Sequence, residues 1–207
     1  LKVALAHGEA KARYTVEYVE TRARRDGGDF IIDGSKAVVS GGDSADLLIV
    51  SARTDGGIAD KNGISLFLVD ARAAGIHMRS YRNMDDRGAA EISFEKVRVP
   101  SSALLGSLNG ALPLIEAAQD RGAAALCCEA IGAMKAVNEI TLEYLKTRNQ
   151  FGRPIGKFQV LQHRMVDMVI AAEQAEACAQ TLRQLGERVY DIGRIQPRDN
   201  RPAVTVD

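Results

Sequence analysis

Residues 148–162, RNQFGRPIGKFQVLQ, stand where one long helical pattern hands over to another. A turn between two packed helices needs only a glycine or proline and something polar. This one also carries Arg148, Gln150, Arg153 and Gln159. Upstream, from about Leu112 to Thr147, alanine abounds, and Leu126, Ala130, Met134, Val137, Thr141 and Leu145 hold a 3.6-residue stripe. Downstream, the pattern predicts a second helix over about 158–186, with Val160, Met165, Met168, Val169 and Ala172 inward. So short a connection predicts antiparallel packing, part of an up-down helical bundle.

Toward the amino end the period changes. Up to about residue 100, short apolar runs alternate with turn signals. FIIDGSKAVVSGG (30–42) predicts a strand, a turn at Asp33 and Gly34, and a second strand. ADLLIVSART (45–54) and GISLFLVDA (63–71) contain continuous apolar runs of the kind buried on both faces. EISFEKVRVP (91–100) alternates through Ile92, Phe94, Val97 and Val99. Helices are scarce here, so this half is expected to be an antiparallel β-sandwich or barrel. The expected division is a β-domain over 1–105, the first two long helices of a helical domain over 106–190, and an irregular tail over 191–207.

Composition narrows the function. Lysine plus arginine equals aspartate plus glutamate at 27 each, so net charge favours neither nucleic acid nor an anionic membrane surface as partner. No apolar run approaches the roughly 20 residues that span a bilayer, and the amino end shows no signal-peptide pattern. Three cysteines, with Cys127 and Cys128 adjacent, make no disulfide framework, so a reducing cytoplasm is expected. Those two cysteines are read as small core residues, and no metal-ligand spacing occurs. Arg22, Arg24 and Arg25, balanced by Glu17, Glu20 and Asp26, are read as a solvated strand edge.

Two places carry candidate chemistry. Arg148 at a helix carboxyl end complements the helix dipole, which by itself explains a cation there. With Gln150, Gly152, Arg153 and Gln159 beside it, the same turn holds the inventory of a pyrophosphate site: a planar guanidinium fork, a close-approach glycine and the free N–H groups of the next helix. SKAVVSGGDSAD (35–46) reads either as a plain β-turn or as a sheet end presenting Ser40 and its backbone to a flat polar ring. His7, Gly8 and Glu9 are expected to open the first strand, with His7 structural.

Read together, these stretches resemble the acyl-CoA dehydrogenase family of flavoproteins. RNQFGRPIGKFQVLQHRMVDM is similar to the family's signature segment in its carboxyl-terminal helical domain. DGSKAVVSGGDSADLLIVSART, GISLFLVD, the pair Gly75 and Ile76, and AEISFEKVRVPSSALLG resemble its middle β-domain, in the same order. The resemblance runs from about residue 1 to 185. It implies α,β-dehydrogenation of an acyl-CoA thioester with FAD, in fatty acid metabolism, by a homo- or hetero-oligomer that passes electrons to an electron-transfer flavoprotein or similar acceptor.

It also assigns residues. Arg148, Phe151 and Gln159 would contact FAD held by a neighbouring subunit, while Val38, Val39 and Ser40 would cover the flavin ring. The family usually has tryptophan–isoleucine–threonine at the latter place, and this chain contains no tryptophan. Where most members show threonine–glutamate–proline, Gly8, Glu9 and Ala10 stand here. The family's glutamate base sits near the start of the long helix or in a final segment. The first location is Gly122, with Asp120 two residues before it as the alternative base, expected rather to hold substrate or cap the helix. The chain is therefore expected to be incomplete and to lack or borrow its base. LPLIEAAQDRGAAALCCEAIGAM further resembles the small subunit of pimeloyl-CoA-type dehydrogenases. The rival expectation is a non-catalytic subunit that binds flavin or assembles with a catalytic partner.

Overall fold

A computed structural model describes the backbone of residues 1–184, 194–195 and 204–205. It divides into two compact units, Leu1–Ala118 and Gln119–Asp207. The irregular tail expected over 191–207 lies outside the described residues, apart from an antiparallel pairing of Arg194 and Ile195 with Thr205 and Val204.

The first unit is one eight-stranded sheet. Its strands are β1 (Val3–Ala6), β2 (Arg22–Asp26), β3 (Asp29–Ser40), β4 (Leu47–Arg53), β5 (Ile64–Asp70), β6 (Ile76–Arg82), β7 (Gly88–Pro100) and β8 (Leu104–Leu105). They lie in the order β6-β7-β3-β2-β4-β5-β8, with β1 paired to β4. Most pairings are antiparallel, as the sequence predicts, but β1 runs parallel to β4 and β2 meets β4 in parallel at Arg22 and Arg53. The sheet is mixed because irregular residues 7–21 carry the chain from β1 back to a strand of the same direction.

The sheet's core forms where the short apolar runs alternate inward. Phe30, Ile32, Leu48, Val50, Phe67, Ile92, Phe94, Val97 and Val99 are all buried, and the rings of Phe30 and Phe67 pack with centroids 5.0 Å apart. A second cluster joins Val19, Ile64 and Leu66 to Leu112 and Ile115. The first turn of the following helix is thereby part of the β unit's core. Arg53, itself buried, donates to the carbonyls of Glu17, Ile58, Asp60 and Asn62 at 2.7–2.9 Å and ties residues 7–21 to the loop after β4.

One expectation about the strands is corrected. Asp33 and Gly34 do not turn the chain, because β3 runs through them for 12 residues. The hairpin instead closes at Gly27 and Gly28, between paired Asp26 and Asp29, with Gly27 at φ 61°. Gly34 marks a register shift against β7, where Phe94 and Val97 are separated by one residue more than their partners. It has φ 146°, and a Cβ there would stand 2.6 Å from the Thr21 Cα. The arginine-rich β2 is solvated, as read, and meets β4 at Arg22 alone, so beyond that residue it pairs on one side with β3.

The second unit takes up helix α1 (Leu112–Thr147), the short strands β9 (Asn149–Gln150) and β10 (Arg153–Pro154), and helix α2 (Gln159–Gln184). The helices run antiparallel: Asn138 Nδ2 donates to the Met168 carbonyl at 3.3 Å, and Lys135 pairs with Glu176 at 2.7 Å. Leu145 and Ala172 are buried, yet Leu126, Val137 and Val160, predicted inward, are 51–65 % exposed. Two helices cover only one side of each other, so part of each apolar stripe has no neighbour within the unit. Cys127 is likewise exposed and Cys128 only half-buried, which corrects their reading as core. Among the described residues no helix is long and apolar enough to cross a membrane.

Candidate functional site

The helix turn is built around Phe158. Arg148 closes α1 through its N–H to the Tyr144 carbonyl at 2.9 Å, and its own carbonyl accepts the Ile155 N–H at 2.8 Å. Gln150 and Arg153 pair across β9 and β10. The Arg153 guanidinium lies 4.4 Å over the Phe158 ring, and Phe151 meets that ring edge-on at 6.1 Å. Arg153 is thus committed to the turn's own packing. Arg148 is exposed, with no partner for its guanidinium among the described residues. Phe151 is 89 % exposed at φ 52°, a conformation a bulky residue rarely adopts. Gln159, exposed, opens α2. Arg148, Phe151 and Gln159 therefore all belong to one solvent-facing turn.

The β unit presents the second candidate at the end of β3. The register against β7 slips between Lys36 and Val39, which puts Ala37 and Val38 in a bulge. Val38 has φ 52° and is 58 % exposed, while Val39 is buried in the core and Ser40 is exposed. Val39 is thus closed to a ligand, and Val38 and Ser40 on either side of it are open. A β-branched residue held in the left-handed region costs about 1–3 kcal/mol, so the surroundings must enforce it. Ala37 donates its N–H to the Gly8 carbonyl at 2.8 Å, and the Val38 N–H reaches Glu91 Oε1 at 3.4 Å.

Beneath the bulge lies a buried polar network that pattern reading misses. His7, Gly8 and Glu9 follow β1 rather than opening it. Glu9 Oε1 stands 2.7 Å from Lys36 Nζ, and both side chains are almost wholly buried. The Glu9 carboxylate also accepts the Thr21 hydroxyl at 2.7 Å, the Thr21 N–H at 3.0 Å and the Glu20 N–H at 2.7 Å. Lys36 donates further to Ser51 Oγ at 2.9 Å and to the His7 carbonyl at 3.2 Å. Ser51 Oγ in turn shares a hydrogen bond with His7 Nδ1 at 2.9 Å. The one signal in the sequence is a lysine inside an apolar strand. Its partner lies 27 residues away and shows in no local period.

Burial sets the charges of this cluster. It pushes Lys36 down to about 8, although the Glu9 charge opposes the shift. Burial raises the Glu9 carboxyl, but the Lys36 ammonium and the three donated hydrogen bonds hold it below its ordinary value. His7 is pushed down to about 4, by burial first and by the Lys36 charge second. Because the folded chain refuses a proton that unfolded His7 accepts near 6.5, stability falls as pH drops from 6.5 toward 4, by up to about 3 kcal/mol. Glu9 adds its own loss only below 4.5. Urea titrations at pH 7 and pH 4.5 check this: His7→Gln should flatten most of the difference. An equal slope in wild type and variant would assign it elsewhere.

Asp120 is exposed on α1, and Gly122 is exposed with nothing within 4 Å of a Cβ built there. Among the described residues no cluster of histidine, cysteine and carboxylates suits a metal ion. An apolar groove of about 550 Å³ opens along α1 and α2, lined by Leu142, Leu145, Met165, Val166, Val169 and Ile170 among others.

Residues 4–97 match the acyl-CoA dehydrogenase middle domain, and residues 112–189 match the acyl-CoA dehydrogenase C-terminal domain. The mitochondrial 2-methylacyl-CoA dehydrogenase of Solanum tuberosum is 30% identical over 199 residues, 95% of this chain and 47% of that protein. Butyryl-CoA dehydrogenase from Megasphaera elsdenii superposes with a TM-score of 0.81 at 26% identity, over 90% of this chain and 50% of that one. The structure of PigA with FAD and proline superposes with a TM-score of 0.82 at 26% identity, over the same shares of each chain. The chain therefore spans about half the length of the relatives it matches.

Proposed function

The chain belongs to the acyl-CoA dehydrogenase family, and we propose that it forms part of an FAD-dependent enzyme that dehydrogenates an acyl-CoA thioester between its α and β carbons. The observation that carries this reading is the outward presentation of Phe151 and the unpartnered Arg148 by a turn that is otherwise tightly bonded. The two-residue turn between paired Gln150 and Arg153 imposes the positive φ, but it calls for no aromatic ring there, and this one is 89 % exposed. A ligand with a flat ring and an anionic tail supplies the reason.

The residues present fit FAD. Arg148 offers its guanidinium fork to the pyrophosphate, with Gln159 as a second donor at the amino end of α2. Ser40 offers a hydroxyl, and Val38 an apolar face, toward the ring. Bound FAD supplies the hydride acceptor that the reaction requires. Around it, this chain's part is to bind and orient, because Gly122 brings no carboxylate to the place where the family's first base sits. Substrate is an acyl-CoA, electrons leave to an electron-transferring flavoprotein or an acceptor of that kind, and the working state is an oligomer in which Arg148 serves a neighbour's cofactor. The three unpaired cysteines accord with a reducing cytoplasm. Gly122 and the absence of tryptophan also support a second reading, a non-catalytic subunit paired with a catalytic one, for which the pimeloyl-CoA-type small subunit is the pattern.

Substitution at the turn tests the cofactor contact. Arg148→Ala in the assembled protein should weaken FAD retention about ten- to hundredfold, since a charge-assisted contact to phosphate is worth roughly 1.5–3 kcal/mol. The melting temperature of the apo form should barely move. Lys146→Ala, which removes a cation bonded to Glu143 at 2.7 Å one turn end away, is the control. Equal losses in the two variants would reduce Arg148 to a helix-end charge.

A further inference from the structure

The buried pair beneath β3 has a role that its charges alone do not explain. A lysine ammonium with no exposed side-chain surface is costly to fold around, and its burial against Glu9 gives weak net stability at best. Its location is specific, however. Lys36 is the last residue of β3 in register before the bulge, and Val39 is the first after it. Its ammonium reaches the His7 carbonyl, and the adjoining Gly8 carbonyl receives the Ala37 N–H. Glu9 closes the loop by holding Lys36 and the backbone of Glu20 and Thr21 together. Ser51 on β4 supplies a third fixed point. The bulge therefore hangs from three directions on one ammonium group.

We propose that Lys36 is a positioning residue, whose anchorage by Glu9, Ser51 and the His7 carbonyl holds Ala37 and Val38 in the bulge and so presents Val38 and Ser40 to the flavin ring. This rests on the FAD reading above. An apolar side chain at 36 would fill the space, but residues 7–9 would lose their side-chain tie to the strand and keep the Ala37 N–H at the Gly8 carbonyl as their link to the bulge. Val38 would relax out of its left-handed conformation toward ordinary extended backbone, and the strand end would lose its shape. Lys36 touches no cofactor in this role. It acts through the backbone of the two residues after it.

The experiment separates positioning from stability. FAD affinity, the visible absorption and circular dichroism of bound flavin, and apo-form stability are measured for the full-length assembled protein and four variants. Ser51→Ala removes one anchor without stranding a charge. Lys36→Met and Glu9→Gln with Lys36→Met remove the ammonium, the second also removing the carboxylate's charge. Val97→Ala, in the core and away from the bulge, supplies a loss of stability with no change in anchorage. Expected is FAD binding at least tenfold weaker in the double variant, with an altered flavin band, an intermediate effect in Ser51→Ala, and wild-type binding in Val97→Ala. Binding within twofold of wild type and an unchanged flavin band in the double variant would overturn the proposal while leaving the FAD reading standing. Wild-type protein that binds no FAD would overturn both.

Discussion

Glu9→Gln should destabilise the β unit by about 3–5 kcal/mol at neutral pH, because it leaves a buried ammonium without its counter-charge. Two losses add up to this. An amide oxygen at the Oε1 position still accepts from Thr21 and Lys36, but the NH₂ at the other position now faces the Glu20 N–H, and a buried clash of that kind costs roughly 1–3 kcal/mol. The remainder comes from Lys36. Already pushed down to about 8 with Glu9 present, its pKa drops further without it, and the lysine gives up its proton more readily on folding. That escape limits the cost and gives it a pH dependence. Above pH 8 wild-type Lys36 is also neutral in the folded state, so the difference between variant and wild type should shrink there and grow toward pH 6. Chemical denaturation at pH 6, 7 and 9 reads it directly. A cost under about 1 kcal/mol at every pH would mean that the pair is solvated.

That network also shows where sequence reading stops. The helices were legible to the residue at one end, Leu112 to Thr147, because a 36-residue run with almost no glycine or proline has one periodicity and one answer. The strands were legible as elements, since continuous apolar runs bounded by Gly and Asp have few alternatives. Their connections were not. Asp33 and Gly34 carry a hairpin signal, yet Thr21, packed against the Gly34 backbone, requires a glycine there for a different reason. Nothing near Gly34 in the chain announces Thr21. The same holds for Lys36, whose partners Glu9 and Ser51 are distant in sequence and adjacent in space. Tertiary contact decides such positions, and local pattern cannot register it.

The candidate site divides along the same line. Arg148 and Gln159 could be read together from sequence because they sit within one short turn, and the family resemblance added Phe151. Val39 was named with Val38 and Ser40 through the family resemblance, which carries positions and not the way each side chain turns. The bulge separates them, sending Val39 into the core and Val38 out. The helical stripe was over-read for a related reason. Periodicity identifies an apolar face but not its neighbour, and among the described residues Leu126, Val137 and Val160 are only partly covered.

The 207-residue polypeptide, given FAD and an acyl-CoA but no second subunit, should show no measurable dehydrogenation. A carbon acid α to a thioester does not lose its proton to water at neutral pH without a positioned base. General-base catalysis contributes roughly 10²–10⁴-fold, and orientation more. The position that resembles the family's helix-borne base is Gly122, which has no side chain to offer. Asp120, two residues earlier, lies exposed on α1, and a general base needs a fixed position within reach of the proton it takes. Anaerobic bleaching of flavin by acyl-CoA is the measurement. Asp120→Asn should change nothing in any assembly that does turn over, whereas loss of turnover would identify Asp120 as the base. Bleaching restored by adding a second subunit would show that the carboxylate is borrowed, with this chain supplying the cofactor contacts at Arg148 and Ser40. Full activity from the polypeptide alone would remove the borrowed-base reading altogether.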